Sequence, residues 1–112
     1  MAYGNSNYLL ENPDTIAKDG RMSLASALWF YMTPQSPKPS MHEIATKLYV
    51  PNDYDLSQGL GATFGTTTMV INGDLECSKG YETAASQSRM SYYESYLLYF
   101  GLDEAPGLGC AT

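Results

Sequence analysis

The sequence predicts a mainly α domain, and three observations carry that expectation. Leu24, Ala27, Leu28 and Tyr31 follow the i, i+3, i+4, i+7 spacing of a helix with one apolar face. Met90, Tyr93, Leu97 and Phe100 form a second stripe at helical spacing, and Gly101 stands where that helix should stop. Pro and Gly punctuate the rest of the chain often enough to separate helices by short loops. At 112 residues the chain is one domain that buries roughly 65% of its unfolded surface, enough for one modest core.

In chain order, YGNSNYLLENPDTIAKDG holds Asn, Gly and Pro too often for a long helix, although Pro13 and Asp14 can start a short one through Ile16 and Ala17. Ser23 is placed to cap the next helix, and Pro34 ends it by removing a backbone donor. Trp29 and Phe30 widen its apolar surface nearly all round, so this helix is expected to be the buried centre of the fold. Pro34, Pro37 and Pro39 then hold Gln35 and Lys38 on a stiff, largely extended loop, which lowers the entropy cost of presenting those side chains. A short helix is expected from about Met41 to Leu48, followed by a polar surface loop from Pro51 to Gly61 that marks no domain boundary. The segment Phe64–Glu76 reads two ways. Thr66–Ile71 favours a strand and Asn72-Gly73 is a hairpin-turn signal, so local rules prefer β. At helical spacing, however, Phe64, Thr67, Thr68, Ile71 and Leu75 share a face, beside a line of Thr68, Asn72 and Glu76. The last helix is expected over Ala84–Phe100.

Composition removes several function classes. Twelve acidic against six basic residues leave a net charge of −6 and no basic run able to neutralise a phosphate backbone, so nucleic acid and anionic membrane are poor partners. No apolar run approaches the roughly 18–20 residues of a membrane span, and the start MAYGNSNY lacks the basic and apolar regions of a signal peptide. Ten tyrosines suit cores and sugar-stacking surfaces alike. Cys77 and Cys110 belong to no CxxC or His-containing metal spacing, which leaves a bridge or two free thiols. His42 is the only histidine, so His42-Glu43 cannot open an HExxH zinc site, and no cofactor-binding motif is present.

The side chains able to carry chemistry are few. A guanidinium at Arg89 among Tyr92, Tyr93 and Tyr96 is costly to bury unless a carboxylate meets it, and Glu76 is the natural partner; the bland alternative is a surface ion pair of about 0–1 kcal/mol. Asn72 offers an amide with donor and acceptor faces, suited to a sugar N-acetyl group or a hydrolytic water, or serves simply as a turn residue. Gln35 and Lys38 either line a cleft or decorate a solvated loop.

Taken together, ALWFYMTPQSPKPS over Ala27–Ser40, INGDLEC over Ile71–Cys77 and RMSYY from Arg89 resemble, in order and spacing, the C-terminal half of the family 19 glycoside hydrolases, the plant-type chitinases. The resemblance covers nearly the whole chain. It implies the C-terminal portion of the lysozyme-like chitinase fold and selects helix over strand for Phe64–Glu76, at a cost of about 1 kcal/mol for Gly73. It implies a disulfide between Cys77 and Cys110, and with it an oxidising, extracellular setting. Gln35, Lys38 and Asn72 match residues that contact substrate, while Glu76 and Arg89 match a charge network that reaches the general acid. One departure is Asp74, where the family has a second Gly.

The activity so implied is endo-hydrolysis of β-1,4-linked N-acetylglucosamine in chitin, by an inverting route in which acid and base stand roughly 6.5–9.5 Å apart. The family's acid and base lie in its N-terminal half, so residues 1–112 are expected to be the C-terminal half of a catalytic domain with no catalytic residue of their own. His42-Glu43 only imitates the family's His-Glu-Thr acid motif: it follows KPS, where the family carries a His-Asp pair with no catalytic duty. The expected partners are chitin or N-acetylglucosamine oligomers and the N-terminal half of the domain. Rival readings are a non-catalytic chitin-binding, chitinase-like protein, a structural domain with no sugar role, and a peptidoglycan rather than a chitin substrate.

Overall fold

The computed structural model describes residues 6–112. Seven helices run through them: α1 (Tyr8–Glu11), α2 (Thr15–Lys18), α3 (Gly20–Met32), α4 (Met41–Ala45), α5 (Asp53–Ser57), α6 (Phe64–Glu76) and α7 (Ala84–Tyr99). The only β pairing among the described residues is an isolated antiparallel bridge between Gln35 and Lys38. The mainly α expectation therefore holds, and α6 is a helix.

Local chemistry sets most boundaries. The carboxylate of Asp19 accepts from the backbone N–H groups of Arg21 and Met22, so α3 begins three residues before Ser23, whose position is inside the helix. A capping box opens α4: Glu43 N–H donates to Ser40 Oγ at 3.0 Å, and Ser40 N–H donates to the Glu43 carboxylate at 2.8 Å. That helix stops at Ala45 rather than Leu48, because the chain turns through Lys47 at a φ of 59°. A second capping box, between Asn52 and Asp55, builds α5 inside the stretch expected to be plain loop. Thr83 caps α7, and Gly101 at a φ of 65° releases the chain after it, where a side chain would be strained.

The core lies elsewhere than expected. Helix α3 packs against α2 and α4, yet it contains no buried residue, and Leu24, Leu28, Trp29 and Met32 are 50–63% exposed. The reason is geometric: two short neighbours cannot cover a helix that is apolar nearly all round. The centre is α6 instead, which touches α4 and α7 and buries Thr66, Thr68, Val70 and Glu76, with Ile44 of α4 and Leu97 of α7 nearby in the same core. Phe64 stacks on Tyr93 with ring centroids 4.2 Å apart, joining α6 to α7. Phe100 falls beyond the end of α7 and points to solvent, edge-on to Tyr99, so it leaves the stripe.

The radius of gyration is 16.1 Å, against roughly 13 Å for a compact chain of this length. An open shape and uncovered apolar helix faces are two views of the same fact.

Candidate functional site

Three polar side chains converge where α6 ends beside α7. Inside α6 the backbone leaves helical geometry at Asn72, with φ −153° and ψ 37°. Its side-chain Nδ2 donates to Glu76 Oε1 at 2.8 Å, one turn further on. From α7, Arg89 donates through Nε to Glu76 Oε2 at 2.8 Å and through Nη2 to Oε1 at 2.9 Å, a two-pronged grip on one carboxylate. Glu76 is 3% exposed, whereas the Arg89 side chain is 36% exposed. This is not the loose surface pair of the bland reading.

These contacts fix the charge state. Hydrogen bonds from Arg89 first, and from Asn72 second, outweigh burial and hold the Glu76 carboxyl at about 2; the same pairing raises Arg89. Because the folded carboxyl sits below its ordinary value of 4.5, the unfolded chain binds more protons between those values. The contribution of this group is therefore whole above pH 4.5 and is lost as pH falls toward about 2. Thermal melts should show a midpoint that drops through that window, and Glu76→Gln should flatten the drop; an identical acid profile in the variant would refute the assignment.

Lys38 reaches the same helix. Its Nζ donates to the Met69 carbonyl at 3.1 Å, one turn before Asn72, which ties the proline loop to α6. A cavity of about 240 Å³ lies beside this tie, lined among others by Pro37, Lys38, Tyr54, Asp55 and Met69. Lys38 N–H also donates to the Gln35 carbonyl at 2.8 Å, across a cis Ser36–Pro37 bond. The Gln35 side chain is exposed and, among the described residues, donates to the Thr33 carbonyl alone, at 3.4 Å. The structure thus joins Asn72, Glu76 and Arg89, anchors Lys38 to α6, and leaves Gln35 outside the network.

Cys77, next to Glu76, is bridged to Cys110 with Cα atoms 4.9 Å apart. Asp74 is exposed within α6, and its carbonyl accepts from Lys79 Nζ at 2.8 Å, so the backbone break falls at Asn72 and not at the substituted position. Glu43 is occupied by its capping box and His42 lies edge-on to Tyr31, consistent with a structural duty for both. Sequence reading missed Glu82, which accepts from Ser86 Oγ at 2.5 Å and from Ala111 N–H at 2.8 Å. The four-residue spacing of Glu82 and Ser86 was the available signal; the contact with Ala111 had none.

The family model for class I chitinases matches residues 2–110. The chain belongs to the family 19 glycoside hydrolases. It is 43% identical to endochitinase A2 of Pisum sativum over 102 residues, which cover 91% of this chain and 31% of that protein. Inactive chitinase-like protein 2 of Hevea brasiliensis is 41% identical over 91% of this chain and 30% of its own length. For chitinase 11 of Oryza sativa subsp. japonica the identity is 38%, over 91% of this chain and 40% of that protein. The chain thus spans about a third of the length of these relatives, whose names include an endochitinase, a chitinase and an inactive chitinase-like protein.

Proposed function

We propose that this chain is the C-terminal half of a chitinase catalytic domain, one flank of a cleft for β-1,4-linked N-acetylglucosamine chains cut by the inverting route. The observation that carries the reading is the buried Glu76 carboxylate gripped by Arg89 and Asn72. Two of the five guanidinium donors serve Glu76. The exposed third of Arg89 leaves the others for an incoming carboxylate such as a general acid. Asn72 and Lys38 contribute amide and ammonium groups to sugar recognition, with Gln35 on the neighbouring loop. The acid and base themselves come from the remainder of a family-length protein.

Two features support such a complement. Leu24, Leu28 and Met32 recur every four residues on α3 as an exposed apolar line, and the chain is more open than its length requires. The disulfide fits an oxidising, extracellular compartment.

Hydrolysis of chitin hexamer, with and without the N-terminal two-thirds of the pea relative, tests the proposal. The chain alone should give no turnover, and the mixture should give some. Substantial turnover by the chain alone would overturn the division of labour, and unchanged oligomer binding in folded Lys38→Ala and Asn72→Ala variants would remove the sugar contact. A non-catalytic chitin binder is the second reading, favoured by the similarity to the inactive relative. Retention on chitin with no turnover in the mixture would select it.

A further inference from the structure

The Glu76–Arg89 pair spans two helices, and something must hold their ends at the distance a two-pronged bond requires. The C-terminal tail is placed to do so. Gly65 N–H, at the start of α6, donates to the Gly107 carbonyl at 2.9 Å. In the loop between α6 and α7, Ser78 N–H donates to the Cys110 carbonyl and Gly80 N–H to the Ala111 carbonyl, both at 2.8 Å. Cys110 is bonded to Cys77, the residue after Glu76. The tail is therefore fastened to α6 at both of its ends.

Its hydrogen-bonded link to the first turn of α7 runs through the Glu82 side chain. One carboxylate oxygen of Glu82 accepts from Ala111 N–H, and the other accepts from Ser86 Oγ, which is 1% exposed and lies one turn before Arg89 on α7. Gly109 lies flat against this carboxylate, where a Cβ would collide with Oε1. The connections close a ring: Glu76, Cys77, Cys110, Ala111, Glu82, Ser86, Arg89 and back to Glu76.

We infer that Glu82 is a positioning residue, the strut that joins the disulfide-anchored tail to α7 and thereby sets the register of Arg89 on Glu76. Glu82 is half-buried, and a carboxylate that accepts from two donors makes stronger bonds than a neutral acceptor and constrains direction as well as distance. Without it, α7 stays a helix capped by Thr83, but its first turns lose their tie to the tail and meet the end of α6 through the Arg89 pair without that brace. The functional meaning of the inference rests on the cleft reading above; the contact itself does not.

The test is hydrogen exchange of the Arg89 side-chain Nε–H, followed by NMR in the full chain. In Glu82→Ala this proton should exchange about tenfold faster, the loss expected from one charge-assisted bond, while the amide of the buried Leu97 keeps its rate. Glu82→Gln, which can still accept from Ala111 and donate to Ser86, should restore most of the protection. Unchanged Arg89 exchange in Glu82→Ala would overturn the inference, as would equal acceleration at Arg89 and Leu97, which means only general destabilisation. If Glu82→Ala does not fold, Ser86→Ala removes the α7 arm alone and is held to the same two criteria. No glycan enters these measurements. An intact brace in a chain that ignores chitin would sink the cleft reading and leave the strut, and the reverse result would do the opposite.

Discussion

Arg89→Ala is expected to lower stability by about 3–5 kcal/mol, because it leaves the Glu76 carboxylate buried with only Asn72 as a partner. A domain of this size has about 5–15 kcal/mol in total, so much of it would be unfolded under mild denaturant. The remaining carboxyl should also titrate upward, since its largest stabilising contact is gone. Arg89→Lys is not a full rescue: a point-charge ammonium cannot reproduce the parallel Nε and Nη2 bonds. Urea unfolding of the three proteins measures this directly. A loss below about 1 kcal/mol in Arg89→Ala would mean that the pair behaves as an exposed one and that Glu76 is not stranded by its removal.

Removing the disulfide should have an effect of similar size. The Cys77–Cys110 bridge closes a loop of 33 residues, for which the chain-entropy model gives about 3–4 kcal/mol. Cys77→Ser with Cys110→Ser should accordingly lower the melting temperature by more than about 10 °C. The location of the damage is as informative as its size. The hydrogen bonds from Ser78 and Gly80 to the tail, and from Ala111 to Glu82, should lose exchange protection before α7 does. A double variant that melts with the parent would show that the tail is held by those hydrogen bonds alone.

The mutational logic differs for the two cases. Losing Arg89 harms the folded state by stranding a charge, whereas losing the bridge acts in large part by freeing the unfolded chain. Combining them should be less than additive, because the tail, Glu82 and α7 form one connected set of restraints with the ion pair.

Much of the fold was readable from local rules, and the failures have identifiable causes. The stripe through Tyr93 and Leu97 marked α7, and Gly101 its end, because helix spacing and a left-handed stop are properties of consecutive residues. The loop reading of 51–61 failed since the Asn52–Asp55 capping box, which builds α5, was overlooked although it is a local signal. Phe64–Glu76 is a different matter: β-branched residues and Asn72-Gly73 point locally to a hairpin, and burial of Thr66, Thr68 and Val70 against α4 and α7 overrides them. The prominence of Trp29 and its neighbours identified an apolar helix correctly but not its surroundings, for a hydrophobic residue states a need for cover without saying what supplies it.

By itself the sequence determined the helical class, the pairing of Glu76 with Arg89 as the natural charge partners, and a net charge of −6 with no basic run. Each follows from residue type, spacing or net charge, quantities that exist before the chain folds. Only the tertiary structure decided that Asn72 closes on Glu76, that Lys38 reaches α6 while Gln35 does not, and that Glu82 joins the tail to α7. Those outcomes depend on where distant segments come to rest, because a hydrogen bond tolerates only a few tenths of an ångström and no local spacing rule carries that precision across 29 residues of chain.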